Sequence, residues 1–130
     1  MLWWGYPVLM AAMMACDLIW IWANFKRYTD NITAIQNKPY HSMWNIIIIP
    51  IYALMYVAVV FIALPLFPIY GPGAGAIVGC VVYGVYDLCL LLQFEHSSVK
   101  TAFLDIFWGT ALFTGITKLA EVMEAFSAAS

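Results

Sequence analysis

Residues 39–86 read PYHSMWNIIIIPIYALMYVAVVFIALPLFPIYGPGAGAIVGCVVYGVY and contain no Asp, Glu, Lys or Arg. Forty-eight uncharged residues exceed the roughly 20 that one helix needs to cross the hydrocarbon of a bilayer. The stretch therefore predicts two spans and a break, and the break falls at LPLFPIYGPGAG (64–75), with its three prolines and three glycines. The rest of the chain agrees. Of 130 residues, 65% are hydrophobic and 9% charged, against about 25% charged in soluble domains. A soluble core of this size could not hide that much apolar surface.

Working outward, four spans are predicted, at about 2–25, 42–64, 74–93 and 101–120. The runs are longer than a barrel strand and do not alternate in polarity, so they read as helices. The expected fold is all-α: an integral membrane bundle of four transmembrane helices, forming one domain over 1–130. Pro50 is expected to kink the second span. KRYTDNITAIQNKPYH (26–41) reads as a polar connection with turn-forming Asn and Pro, FEHSSVK (94–100) as a short one, and EVMEAFSAAS (121–130) as a tail. MLWWGYPVLM lacks a basic region and its apolar run continues to about Phe25, so no cleavable signal is expected.

Basic residues set an expected orientation. Lys26, Arg27, Lys38 and Lys100 share one side, against Lys118 on the other. That asymmetry predicts a cytoplasmic location for the two polar connections and a non-cytoplasmic one for both termini. Five basic residues in all are too few for a nucleic-acid surface. Cys16, Cys80 and Cys89 lie in apolar runs without CxxC spacing and read as small buried side chains.

Three acids carry the chemical information. At about 1.5 Å per residue, Asp17, Asp87 and Asp105 lie roughly 12, 9 and 6 Å from the same membrane face. They come from three different spans. Each costs roughly 2.5–3.5 kcal/mol to insert at mid-helix, so a common interior position is expected. Asp87 continues a stripe of small residues, Gly75, Gly79 and Gly84, suited to close helix contact, and Gly109 does the same beside Asp105. Asp17 shares its face with Trp20, and Asp105 shares its face with Trp108. With no base at that depth, a proton is expected to be shared among the acids, with Trp20, Tyr83, Tyr86 and Trp108 as hydrogen-bond donors. Two readings weigh equally: polar clasps between helices, worth about 0.6 kcal/mol per bond, or a proton or cation site.

Weaker signals surround these. His41 and His96 lie in the two polar connections and form a candidate pair for a metal or pigment, although loop histidines are usually solvated. Trp3, Trp4, Tyr6, Tyr28, Tyr40, Trp44 and Tyr70 fall at span ends, as an aromatic belt does. DLIW (17–20) and DIFW (105–108) share a D-x-x-W spacing. Their spans run in opposite directions, so a duplicated parallel unit is not expected. No hydrolase triad order, HExxH, Walker loop or GxGxxG is present, and no enzymatic activity is expected.

With DLIW, YGVYDL and LDIFWG in view, the chain resembles a family of small predicted membrane proteins, mostly bacterial, of unknown function. Its pattern has four spans, an Asp with a nearby Trp in the first, Y-D-L-T-N in the third and D-x-x-W-G in the fourth. The matching residues are Asp17 and Trp20; Tyr86, Asp87 and Leu88; Asp105, Trp108 and Gly109. Where that pattern has Thr-Asn, this chain has Cys89 and Leu90.

The leading expectation is a non-catalytic accessory or scaffold subunit of a larger membrane complex, of photosynthetic or respiratory type. Its partners would be membrane lipid, other transmembrane subunits or further copies of the chain, with bound lipid or pigment compatible and no cofactor evident. The rival is an oligomeric proton- or cation-coupled transporter or channel using the aspartate cluster.

Overall fold

A computed structural model describes residues 5–37 and 48–129. Those residues form helices joined by short turns, with no strand among them. In order these are α1 (Gly5–Ala23), α2 (Phe25–Gln36), α3 (Ile48–Ala58), a π-helical turn (Val59–Ala63), α4 (Leu64–Tyr70), α5 (Gly73–Gln93) and α6 (Val99–Ala129). Three continuous stretches are long and apolar enough to cross a bilayer: Ile49–Tyr70, Gly73–Gln93 and Val99–Ala125. The fourth candidate span is the α1–α2 pair, bent by 73°. The fold is an α-helical integral membrane bundle, as the uncharged run predicts.

Three boundaries depart from the sequence reading. The 26–41 connection is not all loop, because its first part is α2. Tyr28, Ile32 and Ile35 lie on one half-buried face there, with Lys26 and Asp30 exposed. Asn37 ends α2 in the left-handed region at φ 56°, its N–H donating to the Thr33 carbonyl at 2.9 Å. The second span continues past Leu64 to Tyr70, through Pro65 and Pro68. A Pro at position 65 cannot donate to the Phe61 carbonyl and crowds it. The widened π turn at Val59–Ala63 lies where that helical bond is lost. Only Gly71 and Pro72 then break the chain, with Gly71 at φ 59°. The last span also continues, α6 having 31 residues, or about 46 Å.

α6 is the central element and touches α1, α2, α4 and α5, with its longest contact on α5. Leu9 and Met13 from α1, Tyr52 and Met55 from α3, Val78 from α5, and Leu112, Phe113 and Ile116 from α6 form one buried core. Outside it the surface is apolar: Trp22 is 81% exposed and Leu92 is 85%, as suits a lipid boundary. Cys16, Cys80 and Cys89 are exposed on that surface, not buried as read from sequence. An apolar stretch does not say which of its sides faces lipid.

Glycine explains the α5–α6 approach at three positions. A Cβ at Gly75 would strike the Phe113 carbonyl and the Thr117 hydroxyl. One at Gly79 would strike the Gly109 carbonyl, and one at Gly109 the Tyr83 ring. Gly84 differs from the expectation, since a Cβ there meets nothing within 4 Å, so it makes no close helix contact. Gly79→Ala is therefore expected to cost about 1–3 kcal/mol by overpacking. Gly84→Ala should leave stability unchanged or slightly raised. Thermal unfolding in detergent, followed by tryptophan fluorescence, separates the two.

Candidate functional site: an intramembrane carboxylate cluster

Asp17 stands six residues before the end of α1 at Ala23, Asp87 six before the end of α5 at Gln93, and Asp105 six after the start of α6 at Val99. Each is thus about 9 Å along its helix from the same face, and the three form one layer. Asp17 and Asp87 are 6% and 5% exposed, and Asp105 is half-buried. Among the described residues no Lys or Arg pairs with any of them. The described ion pair is Lys118–Glu121, near the far end of α6.

The three acids are treated differently. Asp17 accepts from three helices: the Tyr52 hydroxyl of α3 at 2.5 Å, the Trp108 Nε1–H of α6 at 2.9 Å and the Tyr83 hydroxyl of α5 at 3.3 Å. One acceptor shared by three helices holds the bundle together. Asp105 accepts from the Tyr28 hydroxyl at 2.7 Å, and that oxygen in turn accepts from the Trp20 Nε1–H at 2.8 Å. Tyr28 thus relays the Trp20 indole to Asp105, donating on one side and accepting on the other. Asp87 has no such arrangement. Its Oδ2 is buried without a hydrogen-bond donor, at the same level of the bundle as Asp105.

The two D-x-x-W segments prove to be reciprocal. Trp108 donates directly to the Asp of α1, while Trp20 reaches the Asp of α6 through Tyr28. The two indoles stack face to face between them, centroids 4.6 Å apart and 1° from parallel. The bend at Asn24 makes this possible. Its side chain donates to the Trp20 carbonyl at 3.1 Å, and the turn carries Tyr28 back over Asp105. Further along α2, Asn31 Oδ1 accepts from the Ser98 N–H at 2.7 Å, and Ser98 Oγ caps α6 by accepting from the Thr101 N–H at 3.1 Å. Tyr28→Phe strands the Trp20 Nε1–H and removes the Asp105 donor, so it is expected to cost about 1–3 kcal/mol. A detergent denaturation midpoint lowered relative to wild type checks this.

Of the donors expected from sequence, Trp20, Tyr83 and Trp108 join the network. Tyr86 does not: it is 61% exposed and stands on the wall of a groove, because a 100° helical step turns it away from Asp87. Tyr52 and Tyr28 were not anticipated. Tyr28 belongs to the network and not to the aromatic belt. A phenol two residues beyond Pro50, inside an apolar span, was the available signal for Tyr52. His41 lies outside the described residues. His96 is exposed and lines an open polar basin of about 580 Å³ with Lys26, Arg27, Asp30 and Asn31, away from the acid layer. Among the described residues no three His, Cys, Asp or Glu side chains converge on a metal position.

Between α3 and α5 a second cavity of about 470 Å³ opens sideways. Ile51, Leu54, Met55 and Val82 form its apolar walls, with Tyr83 and Tyr86, and Asp17 and Asp105 line it as well. It exists because α5 meets the π turn and α4 closely while the first part of α3 diverges.

Fold and site together define a small multi-pass helical membrane protein built around buried carboxylates. The chain belongs to the family described as "Predicted membrane protein (DUF2177)", whose family model matches residues 3–123. No curated protein and no solved structure matches the chain.

Proposed function

We propose that this protein is a small transport protein of the bilayer, in which the Asp87–Asp105 carboxyl pair takes up and releases a proton or a monovalent cation while Asp17 holds the helices. One observation carries the reading. Asp17 collects three donors, whereas Asp87 Oδ2, in the same layer of acids, is buried with none. Acids gathered in one layer of a bilayer with no base among them do not all stay charged without a counter-ion. A single proton between them satisfies the bare oxygen, and a bound cation does so equally. Four spans leave little room for a closed pathway in one protomer, so the working form is an oligomer or includes a partner. Lys26, Arg27 and Lys100 favour a cytoplasmic α2 face, with both termini opposite.

Tyr86 favours a second reading, an accessory subunit. A phenol 61% exposed at this depth is suited to a polar group of another chain. One purification distinguishes the two. Isolated in gentle detergent, the protein is expected as a homo-oligomer that, in liposomes, moves charge in response to a pH gradient. Co-isolation with a large complex and no flux would favour the accessory role and end the transport reading.

A further inference from the structure

We infer that the lateral groove between α3 and α5 binds a lipophilic organic cation, its positive group against the Asp105 and Asp17 carboxylates and its apolar body between the helices. This rests on the reading above and names the class of molecule exchanged against the proton. The groove holds about 470 Å³, within the ~300–1,000 Å³ usual for organic ligands and far beyond the needs of a bare monovalent ion. Ile51, Leu54, Met55 and Val82 offer no oxygen to a hydrated metal ion but suit hydrocarbon or aromatic groups. Tyr83 and Tyr86 add ring faces that attract cations. An anion would meet carboxylates, and a neutral acyl chain would bring them no counter-charge beyond the hydrogen bonds they already accept. Charge complementarity therefore selects the occupant.

A second observation points the same way. Asp87, 5% exposed, stands at the level of Asp105 on α5, with Oδ2 lacking any donor. When these acids give a proton to water, the groove gains a negative charge at Asp105 that a cationic ligand balances. When a proton returns, that charge is cancelled and the cation is released. Proton and cation thus compete for one pair, and no bond other than O–H is made or broken.

The test uses the full chain in neutral phosphatidylcholine nanodiscs, with tetraphenylphosphonium as probe and its isosteric anion, tetraphenylborate, as control. The phosphonium is expected to bind saturably and about tenfold or more tightly at pH 8 than at pH 5, and the borate not to bind saturably. Asp105→Asn should weaken binding about tenfold or more. Leu54→Trp, on the exposed wall, should do the same with the unfolding temperature unchanged, so the result does not depend on a buried variant that fails to fold. Absence of saturable phosphonium binding, equal binding of borate, or indifference to Leu54→Trp overturns the inference. If pH-driven flux persists where phosphonium does not bind, the groove assignment falls and the carboxyl-pair reading stands. Saturable binding that ignores pH overturns both.

Discussion

Asp17→Ala is expected to cost the bundle about 2–4 kcal/mol, enough to leave much of the protein unfolded in mild detergent. Interhelical hydrogen bonds in membranes average only about 0.6 kcal/mol, which alone would make this a modest change. The total is larger because one carboxylate serves three helices. Its removal strands the buried Tyr52 hydroxyl and the Trp108 Nε1–H together, each bonded at 2.9 Å or less, with a smaller contribution from Tyr83 at 3.3 Å. Asp17→Asn keeps one acceptor oxygen and should cost about half as much. Denaturant titration read by tryptophan emission measures both, since Trp108 is a direct partner. A wild-type midpoint in Asp17→Ala would show that the clasp is dispensable.

Asp87→Asn is expected to behave in the opposite way. Stability stays the same or rises by about 0–2 kcal/mol, because a buried carboxyl oxygen without a donor gives way to a neutral amide. Proton-dependent flux in liposomes falls by about two orders of magnitude or more, since the amide cannot take up or release the proton. A fold preserved with function lost separates a working group from a holding one. Flux retained in Asp87→Asn would remove Asp87 from the transport step.

Much of this architecture was legible in the residues. The uncharged run over 39–86 decides the solvent, and heights counted along helices bring Asp17, Asp87 and Asp105 to one layer because helical rise is nearly constant. What stayed hidden depends on rotation and tertiary contact. Helix α2 was obscured by its Asn and Thr residues, which suggest turns when read singly, although Tyr28, Ile32 and Ile35 have helical spacing. The extension of the second span to Tyr70 could not be foreseen from two prolines, since the π turn that accommodates them is a property of the helix before them. Gly75, Gly79 and Gly84 look alike in sequence. Only the first two meet the α6 backbone or side chains. Sequence weighs clasp and ion site equally for all three acids, and it could not show that Asp17 has its donors while Asp87 Oδ2 has none.

The common level of the three acids has an electrical meaning. A layer about 9 Å inside a hydrocarbon slab of roughly 30 Å lies about a third of the way through the transmembrane field. Bringing one elementary charge there from the nearer aqueous face involves only about 0.7 kcal/mol per 100 mV, a third of the ~2.3 kcal/mol for a full crossing. Placing a charge on such a layer from that face is therefore only weakly sensitive to membrane voltage. The remaining two-thirds of the field falls across the stretch held by Phe113, Ile116 and their neighbours.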